Sequence, residues 1–459
     1  MTRTLPNIEI SEELIRRFDA LGPRYTSYPT ADRFNKQFSE QGYIGYLEQA
    51  SSAPLSLYVH LPFCASICYY CGCNKIITKD HGRSAKYLRY LEKEMSMVAS
   101  HLKPGRKVVQ LHLGGGTPTF LSEAELRDLM RMLREHFEFS AAAELSIEID
   151  PRTVNDEMLS MLASLGFNRT SLGVQDFDEE VQKAVNRIQP VPMVEHAIQA
   201  SRAAGFVSVN FDLIYGLPKQ NLESFSHTLD TVIRLSPDRI ALYNYAHLPA
   251  RFMPQRRINE NDLPPAEERL QIFMMSLRRL LDAGYLYIGL DHFAKPDDEL
   301  TRAQASKTLH RNFQGYTTHA ECDLIGLGLS SIGMVGRSYS QSVKTLDAYY
   351  EKLDEGLLPV DRGIELSTDD VMRRQIIMNF MCSEPIDFAQ INTIYNIDFI
   401  MYFKDELKQI QPYADAGFIQ IDNHGITVTP KGRMFVRAVG MVFDKYLQQS
   451  TTAQYSKLI

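Results

Sequence analysis

Tryptophan is absent from this chain of 459 residues, and no apolar stretch approaches the ~20 residues that cross a bilayer. No membrane-spanning helix is expected. The opening Met1-Thr2-Arg3-Thr4-Leu5-Pro6-Asn7 has no apolar leader core, so no secretory signal is expected there. A basic surplus is missing as well. The chain has 49 Lys and Arg against 56 Asp and Glu, a net charge of -7. That argues against a general nucleic-acid binder, because phosphate backbones need a basic surface. Cysteine is scarce, six in all. Cys64, Cys68, Cys71 and Cys73 crowd together, while Cys322 and Cys382 stand alone. A disulfide framework would spread pairs along a small secreted chain. This pattern points instead to a metal or redox site in a reducing, cytoplasmic compartment. What is present is ordinary for a globular protein, with 44% apolar and 23% charged residues and length enough for two or three domains.

Residues 1–53 read as an N-terminal arm. A helix from Ser11 to Leu21 precedes Gly22-Pro23-Arg24-Tyr25-Thr26-Ser27-Tyr28-Pro29-Thr30, where prolines and hydroxyl residues disfavour regular structure. Tyr25, Tyr28 and Phe34 mark an arm that packs on something. From 54 to 361 strands alternate with helices. Strands are expected over Leu55–Leu61, Val108–Leu113, Glu144–Ile149, Thr170–Val174, Val207–Ile214, Arg239–Tyr245 and Tyr285–Leu290. Helices are expected over Ser84–Leu102, from Ser122 with Glu125 at capping-box spacing, and over Asp156–Leu165, Met193–Ala204, Leu222–Leu235 and Ala266–Ala283. This rhythm builds βαβ units and a parallel sheet. A series this long makes the fold class α/β, a partial or full (β/α) barrel, with chemistry at the C-terminal strand ends. Residues 362–459 read as a mostly helical C-terminal domain, with helices over Asp369–Phe380 and Phe399–Ile410 and a hairpin turning at Asn423-His424-Gly425.

The segment Pro62 to Asn74 directly follows the first strand. Cys64, Cys68 and Cys71 are separated by three and then two residues. Such a loop can wrap a cube-shaped iron–sulfur cluster, ligate three irons and leave the fourth open to a small molecule. Structural zinc takes paired ligands from two knuckles, and the second knuckle is missing. A zinc-stapled barrel without redox activity and inert core cysteines are the bland alternatives. Gly114-Gly115-Gly116 closes the second strand, where absent side chains let backbone approach a ligand; a plain turn is the alternative. Glu148 would accept hydrogen bonds from an amino or ribose group, or be satisfied by a neighbouring Arg or Lys.

The Cys-x3-Cys-x-aromatic-Cys pattern resembles the signature of the radical S-adenosylmethionine superfamily, with Tyr70 where many members carry phenylalanine. Further stretches resemble one family within it, the oxygen-independent coproporphyrinogen III oxidases (dehydrogenases) of haem biosynthesis. They are Arg24 to Thr30, Cys71-Gly72-Cys73-Asn74, Gly114 to Thr119, Gly173-Val174-Gln175-Asp176-Phe177, Asp212 to Pro218, Asn244 to Pro249, Asp291-His292-Phe293 and His310 to Tyr316. The resemblance implies a [4Fe-4S] cluster on Cys64, Cys68 and Cys71, and two S-adenosylmethionine molecules. The first would be contacted by Tyr58, Gly115, Glu148 and Ile332. The second would meet Tyr70, Gly116, Thr117, Gln175, Arg187, Asp212 and Ala246. It also implies coproporphyrinogen III as substrate, two propionates of which become vinyl groups, and an electron donor such as flavodoxin or ferredoxin. A cytoplasmic monomer with neither nucleic-acid nor membrane partners is expected. Arg24, Lys219, His292 and Arg311 are candidates to hold spectator carboxylates, each equally well a structural residue. By the same resemblance, Cys73 distinguishes the chain from related haem chaperones, which usually lack the Cys-Gly-Cys element and the tyrosine-rich arm. A haem-binding chaperone without decarboxylase activity is the runner-up.

Overall fold

The computed structural model describes residues 12–18, 22–49, 51–320 and 322–447. Six strands lie side by side in chain order and parallel: β1 (Leu55–Leu61), β2 (Val108–Gly115), β3 (Phe139–Ile149), β4 (Arg169–Gln175), β5 (Ser208–Tyr215) and β6 (Arg239–Asn244). Later strands extend both edges: β7 (Leu286–Gly289), β8 (His292–Ala294), β9 (Asp323–Leu327), β10 (Ile332–Val335), β11 (Ser338–Ser342) and β12 (Val360–Glu365). The twelve-stranded order is β12-β11-β10-β9-β1-β2-β3-β4-β5-β6-β8-β7, and among the described residues its two ends do not pair. The barrel is partial.

Two sequence expectations need correction. Tyr285–Leu290 does not continue the parallel series. β8 runs antiparallel to β6, with Phe293 opposite Ile240, and β7 pairs back onto β8. Only Leu290 and Asp291 separate these two strands, and a parallel neighbour would need a crossover of a dozen or more residues. The helix expected over Phe399–Ile410 is two helices, Phe399–Tyr402 and Lys404–Asp415, broken at the fully buried Phe403. Of the helix expected over Ser11–Leu21, Glu12–Phe18 is helical, and its remaining positions lie outside the described residues.

Side-chain alternation explains why the sheet curls around an open lumen. Leu111, Leu113, Leu145, Ile147, Leu172, Val174, Phe211 and Leu213 point outward and are buried beneath the helices. Each contributes roughly 1.5–3 kcal/mol on burial. The intervening inward positions are polar: Gln110 and His112, Glu144, Ser146 and Glu148, Arg169 and Ser171, Asn210 and Asp212. Parallel strands covered by apolar matter on both faces would be apolar throughout. A polar inner face is that of a lumen filled by solvent or ligand. The helices are set by local chemistry; that over Glu123–His136 starts with the Ser122–Glu125 capping box.

A second core joins the arm to the C-terminal helices. Tyr25 and Tyr28 pack with Ile376, Ile377 and Phe380 of the helix Thr368–Met381. The Tyr25 hydroxyl donates to Asp444 at 2.9 Å. Phe34 stacks on Tyr339 of β11, ring centroids 5.6 Å apart. β12 carries the sheet past residue 361 to Glu365. No helix among the described residues is long and apolar enough to cross a membrane.

Candidate active site

The cysteine loop is closed at its base by a short parallel ladder in which Phe63 faces Ile76 and Cys64 faces Ile77. The Ile76 and Thr78 amides donate to the Pro62 and Cys64 carbonyls at 2.7 and 3.0 Å. From outside, Tyr69 N–H donates to Val185 O and the Asn186 side chain to Ile67 O. Cys64 and Cys68 are buried, Cys71 is half-buried and Cys73 is exposed; all four are free thiols lining one cavity of about 600 Å³. Cationic and hydroxyl donors surround the sulfurs. Thr117 Oγ1 lies 3.4 Å from Cys64 Sγ, and Arg187 and Arg152 approach Cys68 Sγ at 3.6 and 3.9 Å. Lys75 Nζ donates to the Cys71 and Cys73 carbonyls at 3.2 and 3.3 Å. A hydrogen bond from Cys73, with Lys75 nearby, pulls the Cys71 thiol down to about 6, whereas burial pushes Cys64 up to about 11.

The glycine run that closes β2 is packed closely against its own chain as well as lining the cavity. A Cβ on Gly114 would meet Glu148 Oε1 at 2.9 Å, one on Gly115 the His60 ring at 2.7 Å, and one on Gly116 the Pro62 and Phe63 backbone at 2.7–2.8 Å. Gly115 also has φ +118°. These glycines admit the cysteine loop and its support to the strand end. Gly116 and Thr117 N–H groups bind the Leu61 and Phe63 carbonyls, both at 2.8 Å. Glu148 accepts from Gly115 N–H at 3.1 Å and from His112 Nε2 at 3.3 Å. Burial alone would raise its carboxyl, but these donors more than offset that and lower it. Tyr58 donates to His60 Nδ1 at 3.1 Å, and His60 Nε2–H donates to Asn74 O at 2.9 Å, so β1 holds the end of the loop through one histidine.

Across the cavity, Arg187 binds Asp150 at 3.1 Å and Gly173 O at 2.6 Å, while its buried Nε has no hydrogen-bond partner among the described residues. Asp212 accepts from Ser171 at 2.8 Å and Asn210 at 3.0 Å. Burial nevertheless raises it to about 6. Gln175 ends β4 at φ +66° and lines the same wall. Of the residues singled out from the sequence, the three cysteines, Tyr70, Gly115, Gly116, Thr117, Glu148, Gln175, Arg187 and Asp212 line this one cavity. Tyr58, Ala246 and Ile332 do not. Tyr58 lies behind His112, the rings stacked at 5.9 Å. The Ala246 carbonyl is held by Gln255 Nε2 at 3.2 Å. Ile332 packs against the aromatic cluster of Phe34 and Tyr339. His112, Asp150, Arg152, Asn210, Tyr243 and Gln314 were missed as cavity residues.

Comparison with known proteins decides the family. Residues 58–232 match the family described as the Radical SAM superfamily, and residues 366–435 the HemN C-terminal domain. The oxygen-independent coproporphyrinogen III oxidase of Pseudomonas aeruginosa is 49% identical over 459 residues, covering 99% of this chain and 100% of its own. That of Escherichia coli is 47% identical over 447 residues, covering 97% and 98%. The solved structure of the Escherichia coli enzyme, described as coproporphyrinogen III oxidase (HemN), a radical SAM enzyme, superposes with TM-score 0.91 at 46% identity, covering 95% of this chain and 99% of that one. The chain belongs to the oxygen-independent coproporphyrinogen III oxidase family.

The loop of this oxidase suits the cofactor of its superfamily. Among the described residues, no three or more His, Cys, Asp or Glu side chains converge where a single metal ion could sit. A zinc clip needs thiolates within ~2.3 Å of one point. A four-iron cluster needs one thiolate at each of three separate corners. Three free thiols on one closed loop, flanked by Arg152, Arg187 and Lys75, fit that anionic group.

The oxidase's four candidates for holding a carboxylate, of which His292 alone lines the cavity, sort themselves by partner. Arg24 is paired with Asp291 at 2.5 Å and Lys219 with Asp262 at 2.6 Å, so each already has a carboxylate partner. Arg311 differs. Its Nε and NH1 are buried without a hydrogen-bond partner among the described residues, and its Cζ stands 4.9 Å from the Tyr316 ring centroid. His292, on the cavity wall, packs edge-on to the same ring at 5.3 Å, and its Nδ1 has no hydrogen-bond partner among the described residues either. Burial, aided by Arg311, lowers His292 to about 3, so it is neutral.

Proposed function

We propose that the cavity enclosed by the cysteine loop and the inner faces of β2 to β6 is where this radical S-adenosylmethionine enzyme converts two propionates of coproporphyrinogen III to vinyl groups, giving protoporphyrinogen IX. The observation that carries the assignment is that the cysteines, the Gly115–Thr117 turn, Glu148, Arg187 and Asp212 line a single polar lumen. A [4Fe-4S] cluster on Cys64, Cys68 and Cys71 would supply, with S-adenosylmethionine, the one-electron chemistry that removes hydrogen from a propionate β-carbon. Loss of CO2, with one further electron passed to a separate one-electron acceptor, then leaves the vinyl group.

This chain's residues bind and orient. Glu148, charged and aimed past Gly115, suits an amino group of the first S-adenosylmethionine, with Tyr58 and Ile332 as outer support. Tyr70, Gly116, Thr117, Gln175, Arg187 and Asp212 form the wall for the second, Ala246 lying behind it. The spare Arg187 Nε suits a carboxylate. Arg311 and His292 hold a substrate propionate, since a buried guanidinium is costly until an anion satisfies it. Tyr243 and Tyr316 on the same wall help exclude water. The enzyme works as a cytoplasmic monomer served by flavodoxin or ferredoxin. Anaerobic equilibrium dialysis of the iron-loaded protein tests the cofactor count: two S-adenosylmethionine per chain are expected, and one would reject the second site.

A further inference from the structure

A second pocket, of about 480 Å³, opens on the outer surface beside the cysteine loop, between Asn74–Ile76, the first turns of the helix His81–His101, and Lys344–Tyr350. Its rim carries Lys75, Arg83, Lys86 and Lys344 against one carboxylate, Asp347. None of the four cations forms an ion pair among the described residues. Other lysines do, such as Lys93 with Asp354, Lys295 with Asp238 and Lys445 with Asp369. In a chain of net charge -7 this is a concentration of unneutralised positive charge. The rim is also held in place. Lys86 Nζ stands 4.5 Å over the Tyr350 ring, and Asn74 Nδ2 donates to the Lys344 carbonyl at 3.1 Å. Ile76, Leu329 and Leu346 give it an apolar floor. A basic rim around an apolar centre is the layout of a protein-docking surface.

Its position gives the patch a use. Lys75 lines both this pocket and the interior cavity, and its ammonium binds the Cys71 and Cys73 carbonyls. A partner seated outside is one side chain away from the loop that bears the thiolates. We propose that this face docks an acidic one-electron carrier protein that reduces the cluster. The proposal rests on the cluster reading above. The step is a bare electron transfer: the reduced carrier loses one electron, the oxidised cluster gains it, and no bond or proton moves. Charge complementarity selects the occupant, because an acidic partner gains steering from the unpaired cations and a basic one is repelled.

The test uses the reconstituted enzyme and two reductants, a purified acidic flavodoxin and the small cationic methyl viologen radical. Arg83→Glu, Lys86→Glu and Lys344→Glu, singly and combined, avoid Lys75 and every cavity residue. The triple variant is expected to raise the KM for flavodoxin by at least about tenfold and to flatten its dependence on ionic strength. Turnover with methyl viologen should stay within twofold of the parent. An unchanged KM for flavodoxin would overturn the docking site. Equal loss with both reductants, at unchanged iron content and melting temperature, would also overturn it. A parent enzyme with an intact cluster that makes no vinyl product with either reductant would instead reject the underlying function.

Discussion

At the scale of single residues, the four clustered cysteines differ in what holds them. Cys64 and Cys68 face the Thr117 hydroxyl and the Arg187 guanidinium, whereas Cys71 takes a hydrogen bond from Cys73, the exposed one of the four. Replacing Cys64, Cys68 or Cys71 with Ser is expected to abolish bound iron and sulfide, measured on anaerobically purified protein. Cys73→Ser should keep both, and its loss of iron would show that the fourth sulfur is a ligand. At the opposite end, Arg311→Met should raise the KM for coproporphyrinogen III about 10- to 100-fold, as expected for one charge-assisted hydrogen bond of ~1.5–3 kcal/mol. S-adenosylmethionine affinity should not change, and a parallel loss would move Arg311 to the cofactor. The spacing of the cysteines was readable without a structure because a cluster-wrapping loop is local. Arg311 could be named only as one cation among four. What separates it from Arg24 and Lys219 is the absence of a carboxylate partner among the described residues, which only the fold reveals.

At the scale of elements, the strand–glycine–loop unit is the most constrained part of the site. Gly116→Ala would drive a Cβ into the Pro62–Phe63 backbone. A strain of ~1–3 kcal/mol is expected, lowering the melting temperature and weakening iron retention together; a variant with parent-like melting and iron would contradict the packing role. Another element-level device lies behind β9. Glu94 accepts from Gly328 N–H at 2.7 Å and Tyr349 at 2.6 Å, fixing the turn that leads to β10. Burial raises its carboxyl to about 7. The folded protein therefore binds a proton more tightly than the unfolded chain. Glu94 is tolerated below about pH 4.5 and costs stability progressively as pH rises toward 7. Relative to Glu94→Gln, the parent should lose up to ~3 kcal/mol across that window, read by denaturant titration at several pH values. A pH-independent difference would contradict this.

The parallel strands were legible because apolar alternation and capping boxes are local signals. The inward polar series of β2 to β5 was equally present, since Glu144, Ser146 and Glu148 or Ser208, Asn210 and Asp212 alternate in plain view. Reading it would have given His112 and Asn210 among the missed cavity residues. The reversal at β7 was not legible. An isolated strand carries no mark of its direction, and the hairpin through Leu290 and Asp291 sets it.

At the scale of the whole molecule, a partial barrel lined with polar groups is closed by parts distant in sequence. The arm's Tyr25 and Tyr28 are built into the C-terminal core, and β8 and the Gly315–Thr317 strand bring His292 and Tyr316 to the cavity. One lumen is thus lined both by the cysteines and by His292 and Tyr316, the neighbours of Arg311, and the proposed function has cofactor and tetrapyrrole side chain meet in it. That meeting is the central claim. It is tested most directly by anaerobic turnover of coproporphyrinogen III deuterated at the propionate β-carbons, with mass analysis of the 5′-deoxyadenosine formed. Deuterium in the 5′-deoxyadenosine, accompanying vinyl product, is the predicted result. Vinyl product with unlabelled 5′-deoxyadenosine, or no product from enzyme with an intact cluster, would contradict the account.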